Sequence, residues 1–279
     1  MPPFFTIITS TYNAAATLPH LLDSLASQTC RDFNWIVQDG GSSDETMKIV
    51  EQYHSLLPEI LTNSGKDEGI YDAWNKAIDI WQDKIGKWIL FLGCDDSLNE
   101  KNTLEIVKKY IEESPIHKMF FAGNLIQLNS RGEKVSQYDI KNTDDAFKIR
   151  SYRMPVNHPA LFTKREIILK YKFDASFKIA GDYEFIRRAW LNPDQMQLLG
   201  FVTTHMQIGG ISGNESSRKL HLAENLRIFN KYGTVKGYIW YIDSSLYSVK
   251  IKIKNIFKKY KYGNQFWRTL KKIRAYILK

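Results

Sequence analysis

The sequence predicts an α/β protein built on a single, mainly parallel β-sheet flanked by helices. Three observations carry this expectation. Short runs of β-branched and aromatic residues, FFTIIT (4–9), NWIVQD (34–39) and WILFL (88–92), read as strands buried on both faces. Segments with apolar residues at three- and four-residue spacing lie between them, as crossover helices require. Each run is followed at once by polar residues, in STYN, GGSSDET and GCDDS.

FFTIIT reads as the first strand and STYN as its exit loop. Leu18, Leu21, Leu22 and Leu25 place an amphipathic helix over 17–28. NWIVQD is the second strand, and Ser42 and Glu45 in the loop after it have capping-box spacing. Met47, Val50, Tyr53 and Leu57 supply the apolar stripe of the helix that follows, and Ile70, Trp74, Ile78 and Trp81 that of a third helix over 70–82. WILFL is the next strand and 102–113 the next helix. This alternation implies right-handed crossovers, with every strand ending on one edge where ligands bind. Ser10, Thr11, Tyr12, Asn13, Asp39, Asp95 and Asp96 would then face one crevice. Beyond about residue 115 the pattern loosens. KMFFAG (118–123) and HPALF (158–162) read as strands, 127–137 as a polar loop, and AGDYEFIRRAW (180–190) as a helix with an acidic first turn. GGISGNESS (209–217) reads as a glycine- and serine-rich loop.

The 279 residues divide most economically into a catalytic domain over 1–235 and a basic extension over 236–279. The net charge of +9 is concentrated near the C-terminus: residues 250–279 hold eleven Lys or Arg and no Asp or Glu, leaving 28 basic and 30 acidic residues before them. Ile253, Ile256, Phe257 and Tyr260, then Phe266, Trp267, Leu270, Ile273 and Ile277, place an apolar stripe among those lysines and arginines. Such an amphipathic helix is expected to lie on an anionic membrane surface, the alternatives being packing on the domain or a dimer contact. The oligomeric state is left open. Cys30 and Cys94 form no disulfide framework or metal-ligand pattern, which fits a reducing compartment. With no secretory signal and no apolar run near 18 residues, the expected location is the cytoplasm, peripheral to the inner face of the membrane.

Two adjacent carboxylates at a strand end repel each other unless a cation compensates. Oxygen ligands of this kind suit Mg²⁺ or Mn²⁺, although a solvated Asp-Asp turn is the commoner origin of such a pair. Asp39, before Gly-Gly, can shape a turn or accept hydrogen bonds from a nucleobase, with the Tyr12 ring available for stacking. The chain has no G-x-G-x-x-G and no P-loop motif, so any bound phosphates would be held through a metal rather than a glycine-rich cradle.

The strings TIITSTYNAAATL, IVQDGGSSDET, GIYDAWNKAI, FLGCDDSL and AGDYEF, in this order and spacing, resemble the inverting glycosyltransferases of family 2, which have the GT-A fold. The resemblance covers about residues 3–233. It extends to NHPALFTKREI and GGISG, similar to a bacterial branch acting on surface polysaccharides. It implies that Ser10, Thr11, Tyr12 and Asp39 bind the base and ribose of a nucleoside-diphosphate sugar, with Asp72 and Asn75 beside the donor. It also implies that Asp95 and Asp96 hold Mn²⁺ or Mg²⁺ on the diphosphate, and that Asp182 is the catalytic base toward a lipid-linked or oligosaccharide acceptor. By spacing alone, Asp182 reads rather as a helix-capping or first-turn acidic residue; the resemblance is what makes it the base.

Two positions depart from the family's pattern. Gly93 stands where an Asp is frequent, and Trp74 where Arg is frequent, leaving Lys76 or Lys66 to neutralise donor phosphates. His158 is expected to be buried and hydrogen-bonded, and His205 lies where a late metal ligand sometimes occurs. A sugar nucleotidyltransferase is the alternative enzyme, but the loop STYNAAATL lacks the Gly, Lys and Arg such an enzyme would carry. Nucleic-acid binding through the basic tail would leave the acidic crevice unexplained, so no nucleic-acid partner is expected.

Overall fold

FTIITST forms strand β1 (Phe5–Thr11) in a computed structural model, which describes residues 1–209 and 215–245 of the chain. Six of its seven residues are buried, because the strand lies inside the sheet and its two faces carry separate cores. Ile7, Trp35, Val37 and Leu90 point to one face, beneath α1 (Leu18–Ala26), α2 (Thr46–Gln52) and α4 (Thr103–Glu113). Ile8, Ile36 and Ile89 point to the other, beneath α3 (Ile70–Ile80), α6 (Arg165–Tyr171) and α7 (Gly181–Ala189). Strand periodicity of two explains this division: neighbouring residues of a doubly buried strand serve opposite layers.

The strands run in the order β3-β2-β1-β4-β8-β6-β9-β5, with β7 (Lys134–Tyr138) also paired to β6. The run β3 (Ile60–Ser64), β2 (Phe33–Asp39), β1 and β4 (Trp88–Phe91) is parallel throughout, as the alternation of strands and helices requires. β8 (Leu161–Lys164) lies antiparallel between β4 and β6 (Phe120–Leu128), and β6 runs parallel to β9 (Met196–Gln207). β5 (Asp96–Leu98) closes the order, antiparallel to β9. Only four residues separate β4 from β5 in sequence, yet three strands separate them in the sheet. Four interstrand steps span roughly 19 Å in a flat sheet. That is at or beyond the reach of so short a connection, and this one folds back in a turn, Asp96 N–H donating to the Gly93 carbonyl at 3.1 Å. The sheet is therefore curled, bringing β9 and β5 round to the carboxyl end of β4.

Several elements differ from the sequence reading. β3 goes unrecognised because only five residues follow Pro58 and most are half-exposed at the sheet edge. The 127–137 segment is not a loop: β6 runs to Leu128 and β7 pairs back on it. HPALF is a 3₁₀ turn over His158–Ala160 followed by β8, since Pro159 cannot donate to a ladder. Ser42 and Glu45 form no capping box; Glu45 is the N-cap of α2 without a side-chain bond, and the Ser42 hydroxyl is used elsewhere. α8 (Glu215–Tyr232) begins inside the segment read as a loop, whose residues 210–214 lie outside the described residues. α5 (Thr143–Ile149) lies where the sequence pattern is loosest. α9 (Val235–Ser245) packs on α8, with the Trp240 ring 6.0 Å from that of Phe229. The basic stripe over 250–279 lies outside the described residues. No helix among the described residues is long and apolar enough to cross a membrane.

Candidate active site

The loops after β1 and β2 are tied together around Asp39, at the carboxyl end of β2. Its side chain is fully buried. Oδ1 accepts from Thr11 Oγ1 at 2.9 Å and Ser42 Oγ at 2.5 Å; Oδ2 accepts from the N–H groups of Gly41 and Ser42 and from Ser64 Oγ at 2.8 Å. Burial pushes this carboxyl up, but those hydrogen bonds outweigh it and hold Asp39 below its usual range. The Ser42 hydroxyl in turn accepts the N–H of Asn13, which has a left-handed backbone (φ 49°), and Asn13 Oδ1 accepts the N–H of Ser43. Tyr12 is held on this frame, 68% exposed as a residue, with Ser10 half-buried beside it. A free aromatic face thus stands at the sheet edge above a rigid, anionic loop. Asp67 completes the rim: its carboxylate lies where a Cβ on Gly40 would fall within 2.8 Å, next to the Tyr12 ring.

β4 ends in the turn that carries Asp95 and Asp96. A Cβ on Gly93 would sit 2.8 Å from Asp95 Oδ1 and 3.1 Å from Asp96 Oδ2, so the two carboxylates converge on one point. Asp96 Oδ2 accepts the Gly93 N–H at 2.7 Å. Burial raises the pKa of both; for Asp96 the neighbouring Asp95 charge adds to it and the group is pushed up to about 8. Two such carboxylates, with oxygen the only donor type, fit Mg²⁺ or Mn²⁺, which takes one or two protein carboxylates and fills its sphere with water and phosphate oxygens. Among the described residues no third His, Cys, Asp or Glu joins them. His205 pairs across the ladder with Ser97, while Asp96 pairs with Met206, so His205 faces away from the Asp96 carboxyl, toward Glu100 and His20.

Asp182 occupies the first turn of α7. Its Oδ1 accepts the N–H of Tyr183 at 2.7 Å and lies 3.3 Å from the hydroxyl of Tyr71, which donates more closely, at 2.7 Å, to the carbonyl of Ile179. Burial pushes the carboxyl up, the Tyr183 and Tyr71 donors pull it part of the way back, and the nearby Glu224 charge adds to the rise; the group titrates at about 6. The N-cap of α7, Ala180, has no capping side chain. Glu224 of α8 supplies acceptors just upstream instead, binding the N–H groups of Lys178, Ile179 and Ala180 at 2.7, 2.9 and 2.8 Å.

Other expected site residues are engaged in structure. Asn75 exchanges two hydrogen bonds with the backbone of Phe173, fastening α3 to the segment after α6. Asp72 accepts the Glu68 N–H and pairs with Lys76 at 2.8 Å, and Lys76 also donates to the Lys66 carbonyl. Trp74 is buried and stacks on His158, which is stacked in turn on Phe91. His158 is buried as expected, but its Nε2 has no hydrogen-bond partner, and burial pushes it down to about 3. Tyr71 and Glu224 were not assigned from sequence. Tyr71 lies within GIYDAW, one residue from a residue that was; Glu224 sits 42 residues beyond Asp182 in a helix whose period gives no sign of it.

A curled α/β sheet of this topology, with acidic residues at the carboxyl ends of its parallel strands, defines a GT-A type enzyme. The chain belongs to glycosyl transferase family 2, whose family model matches residues 6–171, and it is a glycosyltransferase. It is 33% identical over 215 residues, 76% of this chain and 77% of the relative, to a PGL/p-HBAD biosynthesis glycosyltransferase of Mycobacterium tuberculosis. It is 30% identical over 204 residues to the poly(ribitol-phosphate) beta-N-acetylglucosaminyltransferase TarS of Staphylococcus aureus, covering 70% of this chain but 34% of TarS. The fold superposes on residues 1–349 of TarS in complex with UDP-GlcNAc with a TM-score of 0.63 at 23% identity, covering 82% of this chain and 67% of that one. It also superposes on the mannosyltransferase PcManGT of Pyrobaculum calidifontis, solved with GDP-Man and Mn²⁺, with a TM-score of 0.59 at 16% identity, covering 100% and 86%.

Proposed function

We propose that the protein transfers a sugar, with inversion, from a nucleoside-diphosphate donor to a hydroxyl of a saccharide acceptor in bacterial surface-glycan synthesis. The observation that carries this reading is the convergence of the Asp95 and Asp96 carboxylates on one point at the carboxyl end of β4. Ionising both there is unfavourable without a cation. Mn²⁺ or Mg²⁺ held by these two residues would supply Lewis-acid stabilisation of the charge on the departing diphosphate. Tyr12 would stack on the donor base, with Asp39, Thr11 and Ser10 forming the floor beneath base and ribose. Asp39 keeps its own loop rigid through five hydrogen bonds, so its contribution to the donor site is chiefly the shape it imposes. Asp182 would accept the proton of the acceptor hydroxyl as that oxygen attacks the anomeric carbon. A group titrating at about 6 is ionised at neutral pH yet more basic than an ordinary carboxylate.

Donor release tests this directly. UDP-, GDP- and dTDP-sugars are offered with Mn²⁺ or Mg²⁺, and one nucleoside diphosphate is expected to be released, with loss of release on adding EDTA or on Asp96→Asn. Release that survives both treatments would remove the metal assignment.

A lipid-linked acceptor at an anionic membrane is favoured by a separate feature. Val235, Tyr238 and Ile242 lie on one face of α9 and are 72%, 37% and 58% exposed, just before the basic segment. Apolar side chains beside clustered lysines suit a headgroup interface. Salt-sensitive flotation with phosphatidylglycerol vesicles, and none with phosphatidylcholine, is expected.

A further inference from the structure

We infer that Glu224 is a positioning residue for the base, fixing where α7 begins and hence where the Asp182 carboxyl stands; this rests on Asp182 being the base. The segment 178–180 has no regular secondary structure of its own to hold it. Its three successive N–H groups all point to one buried carboxylate, that of Glu224, which is 6% exposed. The peptide of Ile179 is gripped from both sides: its N–H by Glu224 from α8, its carbonyl by the Tyr71 hydroxyl from α3. Three residues beyond Ile179 comes Asp182. Two helices distant in sequence thus fix the last residues before the base, and neither touches the base by a strong bond of its own. A carboxylate makes stronger hydrogen bonds to backbone N–H groups than an amide oxygen in its place would.

The same carboxylate places a negative charge near Asp182. Among the described residues, the groups that bear on Asp182 are Tyr71 from α3, Glu224 from α8, and the Tyr183 and Asp182 N–H groups of its own helix. Lys178 directs its ammonium to the Glu68 carbonyl. His221, one turn back on α8, is pushed below its ordinary value by burial. Glu224 is the only carboxylate among these groups, and its proximity raises the Asp182 pKa.

The test uses the full chain labelled with ¹³C at aspartate Cγ, the Asp182 resonance being assigned by its absence in Asp182→Asn. Turnover is read as nucleoside diphosphate released with Mn²⁺ from UDP-N-acetylglucosamine or GDP-mannose. Glu224→Gln is expected to move the Asp182 titration to lower pH and to lower kcat by about tenfold, a part of the roughly 10²–10⁴ a positioned base supplies, leaving donor KM unchanged. Glu224→Asp restores the charge on a shorter stem, so the titration should return toward the wild-type midpoint while kcat stays low. A purely structural cap would not separate the two variants in this way. If Glu224→Gln does not fold, Glu224→Asp carries the test, and wild-type kcat in it overturns the inference. Unchanged titration and kcat in folded Glu224→Gln also overturn it. If Asp182→Asn itself retains transfer, the base assignment fails first; if it abolishes transfer while Glu224→Gln behaves as wild type, only the positioning role falls.

Discussion

The Tyr71 hydroxyl reaches 3.3 Å from the Asp182 carboxylate across 111 residues of chain, and it does so with the Tyr71 ring lying against Gly181. The helix carrying GIYDAW and the segment opening with AGDYEF are therefore one unit around Asp182. Tyr71→Phe keeps the ring and removes the hydroxyl, orphaning the Ile179 carbonyl. A loss of about 1 kcal/mol is expected from one such hydrogen bond. Because the hydroxyl lowers the Asp182 pKa, its removal should move the acid limb of the rate profile to higher pH. A pH–kcat series on the wild type and Tyr71→Phe measures the shift and its direction.

Asp182→Asn should separate binding from chemistry. The amide retains the shape of the carboxyl but cannot take the acceptor proton, so transfer should fall by about 10²–10⁴-fold. Donor affinity, measured calorimetrically with Mn²⁺ present, should stay within about twofold, since the proposed donor contacts lie on strand ends rather than on α7. In the wild type, transfer should rise with pH through about 6, where Asp182 ionises. The sign follows from the proposed role: only the ionised carboxylate accepts a proton.

Gly181→Ala tests the closeness of the two helices. A Cβ there would lie 2.6–2.8 Å from three atoms of the Tyr71 ring, and that ring is itself packed against Trp74 and Phe173. The ring has nowhere to move without displacing its neighbours. Overpacking of this kind typically costs about 1–3 kcal/mol. Thermal unfolding should show the loss, together with a fall in kcat. A variant as stable as the wild type would mean that α7 can shift freely on α3.

Three of the four strands in the parallel half, β1, β2 and β4, were legible because they are apolar and separated by strongly periodic helices, whereas the half-exposed edge strand β3 was not. Phe5–Thr11, Phe33–Asp39 and Trp88–Phe91 were found to within two residues. Their polar exits could be placed at one edge for the same reason, since parallel strands all end there. The other half was not legible in this way. β5 is three residues long and begins with Asp96, so nothing marks it as a strand until β9 is beside it. Asn75 lay in a recognisable string, but only the fold reveals that its amide is consumed by Phe173. Glu224 escaped because its role depends on three backbone groups 44 to 46 residues away, and a helix period carries no information about such partners.

His158 gives a prediction about acid stability that does not depend on catalysis. Its imidazole packs against both the Trp74 and Phe91 rings, centroids 5.2 and 5.3 Å away, with Nε2 unpartnered. Burial lowers its pKa from 6.5 to about 3 in the folded chain. Between those values the unfolded chain binds a proton that the folded chain excludes, so stability falls as pH drops through that window and is fully regained above it. One such group contributes a slope of at most about 1.4 kcal/mol per pH unit. His158→Phe keeps an aromatic ring in the stack and removes the titrating nitrogen. The variant should be at least as stable as the wild type at pH 5, and its melting temperature should fall less steeply between pH 6 and pH 4. Parallel acid limbs for the two proteins would show that the buried imidazole is not the group that fails.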